Sequence, residues 1–227
     1  MVGFLLPRLG LTTALVAFAA TVISIGVAVA DDAPVKIIDI GDSYIVGHGL
    51  LLDKIFPAKL QAALKSRGRL VEVIDTGYIE TSASGLEWLL EPDGQKLLAA
   101  PASNAVILEL GSNDCSFFDV DTTRSNLDQI VSQLTKKHIP VLLVGTEPYD
   151  KCTRLQGADY PVAYRQIFPD LAKQYGVILY PDFKDGVSGH LDLLQLDQDH
   201  PNSAGEAIIV EKILPSVEAL IAQISQK

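Results

Sequence analysis

From Pro34 onward the chain alternates short apolar runs with longer amphipathic ones, and this alternation constrains the fold more than any other feature. Val35–Ile40, Leu70–Ile74, Ala105–Leu110, Pro140–Gly145 and Val177–Tyr180 read as strands, continuous and apolar as strands buried on both faces are. Ile55–Arg67, Ser84–Leu90, Gln95–Ala99, Thr122–Lys137 and Tyr160–Tyr175 carry the helical pattern between them. Gly68 stops the first helix, Pro92-Asp93-Gly94 breaks the second pair, and Ser203 is an N-cap for a last helix running toward Ile224. Strands separated by helices imply right-handed crossovers, which place helices on both faces of a parallel sheet. The expectation is an α/β three-layer sandwich filling residues 31–227 as one domain, with no repeat, linker or low-complexity segment. Sites in such sheets form outside the carboxyl ends of the strands.

The first thirty residues stand apart. Arg8 is their only charged residue, and an uninterrupted run follows from Leu9 to Ala30. Ala28-Val29-Ala30 ends that run in the small-x-small pattern of a signal-peptidase site, so residues 1–30 read as a cleaved secretory signal. An uncleaved anchor is the alternative, since the run is long enough to span a bilayer. Cleavage removes one Arg and no acid, moving the formal charge from −10 to −11. An acidic chain without a Lys/Arg cluster is poorly suited to nucleic acid or anionic membrane surfaces. Export also bears on Cys115 and Cys152, which fall in loops expected after parallel strands and have no CxxC spacing. In an oxidising compartment such a pair is expected to form a disulfide.

Three distant segments carry chemistry. Gly41-Asp42-Ser43 follows the first strand, where Gly41 permits a sharp turn and backbone N–H groups can face a developing negative charge. Gly111-Ser112-Asn113-Asp114 follows the third strand, and the Asn113 amide can donate to an oxyanion without adding charge. Asp197-Gln198-Asp199-His200-Pro201-Asn202 precedes the last helix, with Pro201 restricting the backbone of His200. A serine needs a base, and that base needs a carboxylate to hold its tautomer. Ser43, His200 and Asp197 supply these if the loop turns once. Asp199 is a rival orienter on spacing alone, although an adjacent side chain tends to point away.

The order Ser, Asp, His, the absence of Gly-x-Ser-x-Gly, and these blocks together resemble the GDSL, or SGNH, hydrolases. The resemblance runs across the whole mature region and is strongest toward the exported bacterial thioesterase/lysophospholipase and arylesterase branch. It implies the SGNH fold, a flavodoxin-like five-stranded parallel sheet. It also implies Ser43 as nucleophile, His200 as base, Asp197 as its partner, and Asn113 with the Ser43 N–H as oxyanion donors. A further donor in the family is a Gly N–H after the second strand. In Asp75-Thr76-Gly77-Tyr78-Ile79-Glu80-Thr81-Ser82, ungapped alignment on Glu80-Thr81-Ser82 puts Ile79 there, and a two-residue shift puts Gly77 there. A β-branched residue disfavours the positive φ open to Gly.

The remaining histidines read as bystanders or rim residues: His138 at a helix exit, His48 and His190 in Gly-rich loops that could line a cleft. Four histidines without paired ligand spacing argue against a metal, and neither Gly-x-Gly-x-x-Gly nor a Walker loop is present for a nucleotide. The expected activity is a cofactor-free, exported serine esterase acting on small acyl esters, thioesters or lysophospholipids, with no stable membrane association after cleavage. A carbohydrate O-acetylesterase is the alternative within the class, and a catalytically weak ligand-binding relative the alternative outside it.

Overall fold

The computed structural model describes residues 1–3, 34–99 and 104–224. The expected signal segment lies outside the described residues apart from its first three. Five strands, β1 (Val35–Gly41), β2 (Val71–Tyr78), β3 (Asn104–Glu109), β4 (Val141–Val144) and β5 (Ile178–Tyr180), form one sheet. They are all parallel, in the order β2-β1-β3-β4-β5. The helices are α1 (Phe56–Ser66), α2 (Ser82–Leu90), α3 (Pro92–Leu97), α4 (Val120–Lys136), α5 (Asp150–Gln156), α6 (Tyr160–Tyr175) and α7 (Ser203–Ile224).

Alternate residues of the central strands feed two cores, which makes the three-layer sandwich. Ile37, Ala105, Ile107, Leu142 and Val144 pack with Leu60 and Leu64 of α1 and with Ile209, Ile213 and Val217 of α7. On the opposite face Ile38, Ile40, Val106, Leu108 and Leu143 pack with Leu89 of α2, Leu127 and Ile130 of α4 and Ile167 of α6. Every residue of β3 is buried, as a central strand covered on both faces requires. Among the described residues no helix is long and apolar enough to cross a membrane.

Several boundaries differ from expectation. β2 runs on to Tyr78 because Gly41 pairs with Tyr78 across an irregularity in the ladder. That stretch lies on an edge strand and is half exposed, so its polar residues resemble a turn in sequence. Pro92 starts α3 instead of breaking it, as a proline at the first helical turn can. Cys152 lies in α5, a short helix the apolar pattern does not announce. Asn202, not Ser203, caps α7: its side-chain oxygen accepts from the Ala204 and Gly205 N–H groups at 2.8 and 3.1 Å.

Candidate active site

The turn after β1 carries Ser43 and is built by the residue before it. The buried Asp42 carboxylate accepts the Tyr44 N–H at 3.0 Å. Its other oxygen accepts the Ser112 hydroxyl and, at 3.3 Å, the Asn113 amide. Its backbone N–H in turn donates to Glu109 Oε2 at 3.3 Å. Asp42 therefore stitches the end of β1 to the end of β3. Burial pushes its carboxyl up to about 6, with the hydrogen bonds from Ser112 and Tyr44 working the other way. Glu109 is fully buried and is raised well above the usual carboxylate range, first by desolvation and then by Asp42. Gly41 is needed for close approach rather than for a special φ, since a Cβ there would overlap the Ile45 side chain.

Asn113 reaches the same place from β3. Its amide donates to the Glu80 carbonyl at 3.0 Å as well as to Asp42. Next to it, the buried Asp114 carboxylate accepts the N–H of Ser82 at 2.9 Å and also the Ser82 hydroxyl, at the start of α2. A carboxylate at that helix end is favourably placed.

The loop before α7 closes on itself. Gln195 N–H donates to the His200 carbonyl at 2.8 Å, Leu194 bridges Pro201, and the Asn202 amide donates to the Asp192 and Leu194 carbonyls. Gln198, at φ 61°, supplies the reversal inside it. The loop thus does turn once, and Asp197 accepts the N–H groups of Asp199 and His200 at 3.0 and 3.1 Å through Oδ1. Desolvation alone would raise the Asp197 carboxyl, but these N–H bonds and the imidazole hold it below the usual range.

Ser43, His200 and Asp197 meet in series. His200 Nε2 is 2.8 Å from Ser43 Oγ, and Nδ1 is 2.7 Å from Asp197 Oδ2. Asp199 stands farther off, its Oδ2 4.0 Å from Nδ1. A cleft of about 520 Å³ opens over them, lined by Ser43, Val46, His48, Tyr78, Asn113, Tyr149 and His200. His48 therefore reaches the cleft, its ring 5.1 Å from that of His200, whereas His190 begins a 3-10 turn away from that lining. Neither residue proposed for the extra oxyanion donor offers a spare N–H. Ile79 donates its own to the Gly41 carbonyl at 3.1 Å, and Gly77 donates to Asp75 at 2.8 Å. The physical reason is the longer β2, which keeps this backbone engaged while the Ile79 side chain packs in the core. Beyond the cleft rim, Cys115 and Cys152 are joined in a disulfide. Sequence reasoning passed over Glu109, Ser112 and Lys184. Ser112 sits inside the Gly111-Ser112-Asn113-Asp114 block, Glu109 lies near the end of the strand before it, and Lys184 has no local signal.

A hydroxyl, an imidazole and a carboxylate bonded in series on an open cleft are equipped for acyl transfer. At the carboxyl edge of a three-layer α/β sheet, such a series has the parts an ester hydrolase requires. The chain belongs to the GDSL-like lipase/acylhydrolase family, whose sequence model matches residues 40–208. It is 28% identical to esterase TesA of Pseudomonas aeruginosa over 184 residues, covering 80% of this chain and 87% of that protein. It is 27% identical to thioesterase 1/protease 1/lysophospholipase L1 of Escherichia coli, over 80% of this chain and 83% of that one. The crystal structure of AlinE4, an SGNH-hydrolase family esterase, superposes with a TM-score of 0.63 at 32% identity, covering 82% of this chain and 96% of the other. The chain is accordingly a carboxylic ester hydrolase of the GDSL/SGNH type.

Proposed function

We propose that this chain hydrolyses acyl esters through a Ser43–His200–Asp197 triad and an acyl-enzyme. The observation that carries the reading is the unbroken 2.8 and 2.7 Å series from Ser43 Oγ through the imidazole to Asp197. His200 takes the Ser43 proton as Oγ attacks the carbonyl carbon, and then returns it to the leaving alkoxide or thiolate. Asp197 fixes the tautomer with the proton on Nδ1 and stabilises the imidazolium. The Ser43 N–H and the Asn113 amide hold the oxyanion, the amide exchanging its longer, 3.3 Å contact with Asp42 for the substrate. Water deprotonated by His200 then cleaves the acyl-enzyme.

The names of the relatives support esters and thioesters as substrates, and Val46, Tyr78 and Tyr149 give the cleft an apolar wall for an acyl group. The N-terminal segment would direct export, leaving residues 31–227 as the mature enzyme in the periplasm or medium. The Cys115–Cys152 disulfide suits such a compartment. Intact mass after treatment with a small fluorophosphonate tests the triad. One adduct that disappears in Ser43→Ala is expected. An unlabelled, folded parent protein would sink the reading.

A further inference from the structure

Asp199 adjoins His200 in sequence yet is drawn away from it. Its Oδ1 accepts from Lys184 Nζ at 2.7 Å and from the Tyr44 hydroxyl at 2.8 Å. Lys184 also donates to Tyr44 Oη at 2.8 Å and to the Asp199 carbonyl at 3.3 Å. The same ammonium lies 4.5 Å from the centroid of the Tyr44 ring. The Lys184 side chain is only 12% exposed, and a lysine so covered stays charged at low cost only when paired. Three segments converge here: Tyr44 after β1, Lys184 after β5 and Asp199 before α7.

The free oxygen of Asp199 is 4.0 Å from His200 Nδ1, which already bonds Asp197. The imidazole thus faces two carboxylates. An uncompensated negative charge at that distance favours the imidazolium, which cannot accept the Ser43 proton.

We propose that Lys184 is a positioning residue for the base: by pairing with Asp199 it cancels the second carboxylate at His200 and leaves Asp197 alone to orient the ring. The inference rests on the reading of His200 as general base and deepens it. The other groups facing the ring are Asp197 on its own loop, Ser43, and Tyr44, His48 and the buried Asp42 from the segment after β1. Tyr149, after β4, stands one ring farther, 6.5 Å from Tyr44. All of these are left intact by the changes below, so differences from the parent report the Lys184–Asp199 pair.

The signs of the effects decide the matter. Lys184→Met leaves Asp199 uncompensated, so the acid limb of kcat/KM for p-nitrophenyl acetate should move up by about one pH unit. Asp199→Asn leaves Lys184 uncompensated and should move that limb down by a similar amount. The double variant should return close to the parent. The C2 proton of His200, followed by NMR and assigned against His200→Gln, should titrate with the same three displacements and needs no turnover. A purely mechanical brace would lower kcat in all three without opposed movements, and limbs that stay put or move together would overturn the proposal. If Lys184→Met does not fold, Asp199→Asn decides alone: a midpoint that fails to fall overturns it. A parent inert toward the ester and toward fluorophosphonate would refute the triad instead, while the NMR displacements would still judge the charge pairing.

Discussion

The Asp42 N–H donates to Glu109 Oε2 at 3.3 Å, and this bond sets two buried acids side by side beneath the serine turn. With both desolvated, the pair favours retaining a proton, and Glu109 Oε1 has no hydrogen-bond partner among the described residues. A neutral amide is a close stand-in for a protonated carboxyl. Glu109→Gln is therefore expected to unfold in urea within about 1 kcal/mol of the parent. Glu109→Ala strands the Asp42 N–H and opens a cavity, and should cost roughly 2–4 kcal/mol.

A second buried acid governs stability against pH. Glu206, in the first turn of α7, is buried with neither carboxylate oxygen hydrogen-bonded among the described residues. Burial raises its carboxyl from 4.5 to about 9, against a smaller opposing pull from Lys59. A raised folded-state value favours the protonated form in the native protein, so its contribution is complete below about 4.5 and is lost as pH rises toward about 9. The loss is at most about 1.4 kcal/mol per pH unit, or about 2–4 °C of melting temperature for each kcal/mol. Glu206→Gln should flatten the fall in melting temperature between these limits relative to the parent, as read by calorimetry. Parallel curves for the two proteins would contradict it.

The Cys115–Cys152 disulfide joins residues 37 apart in sequence. It ties the segment after β3 to α5, and Gln156 adds a second tie by donating to the Cys115 carbonyl at 2.8 Å. Closing a loop of that size stabilises by about 2–4 kcal/mol. Replacing both cysteines by alanine is expected to lower the melting temperature by roughly 5–15 °C.

Rates should separate the two oxyanion and orienting groups. Asn113→Ala is expected to lower kcat by on the order of 10²–10³ with KM little changed, as loss of a transition-state donor does. Asp197→Asn should cost on the order of 10³–10⁴ through the wrong tautomer. Ile79→Ala, by contrast, should cost about 2–4 kcal/mol of stability with kcat changed far less, because its N–H serves the ladder.

What could be read from the chain follows what local pattern can encode. β4 is legible because burial on both faces leaves it wholly apolar, and β1 and β3 because their apolar runs are broken only by Lys36 and Asp39 and by Asn104 and Glu109. The outer end of β2 is not, since an edge strand tolerates Asp75, Thr76 and Gly77. The seven residues of α5 bury only Cys152, which leaves no periodicity to detect. Ser43, His200 and Asp197 could be singled out because three distant blocks together resemble the GDSL hydrolases, and that resemblance implies their roles. Lys184 could not: nothing around Pro181-Asp182-Phe183-Lys184 announces a partner, and its meaning arises only when Asp199 and Tyr44 arrive beside it. Ile79 misled because alignment matches residues, whereas the oxyanion needs a spare N–H, and the ladder had already taken this one.

The base loop is fastened to itself by Gln195 and Asn202, whereas the serine turn is fastened to β3 through Asp42. The two halves of the site are thus built separately and are joined by a few side-chain bonds: His200 to Ser43 at 2.8 Å, the Tyr44 hydroxyl to Asp199 at 2.8 Å and the Gln195 amide to the His48 carbonyl at 2.6 Å. Warming is expected to break these few side-chain bonds before the buried sheet melts, so circular dichroism should persist after the halves part. Heat inactivation should run ahead of melting, and a cooled sample that was never unfolded should regain its activity.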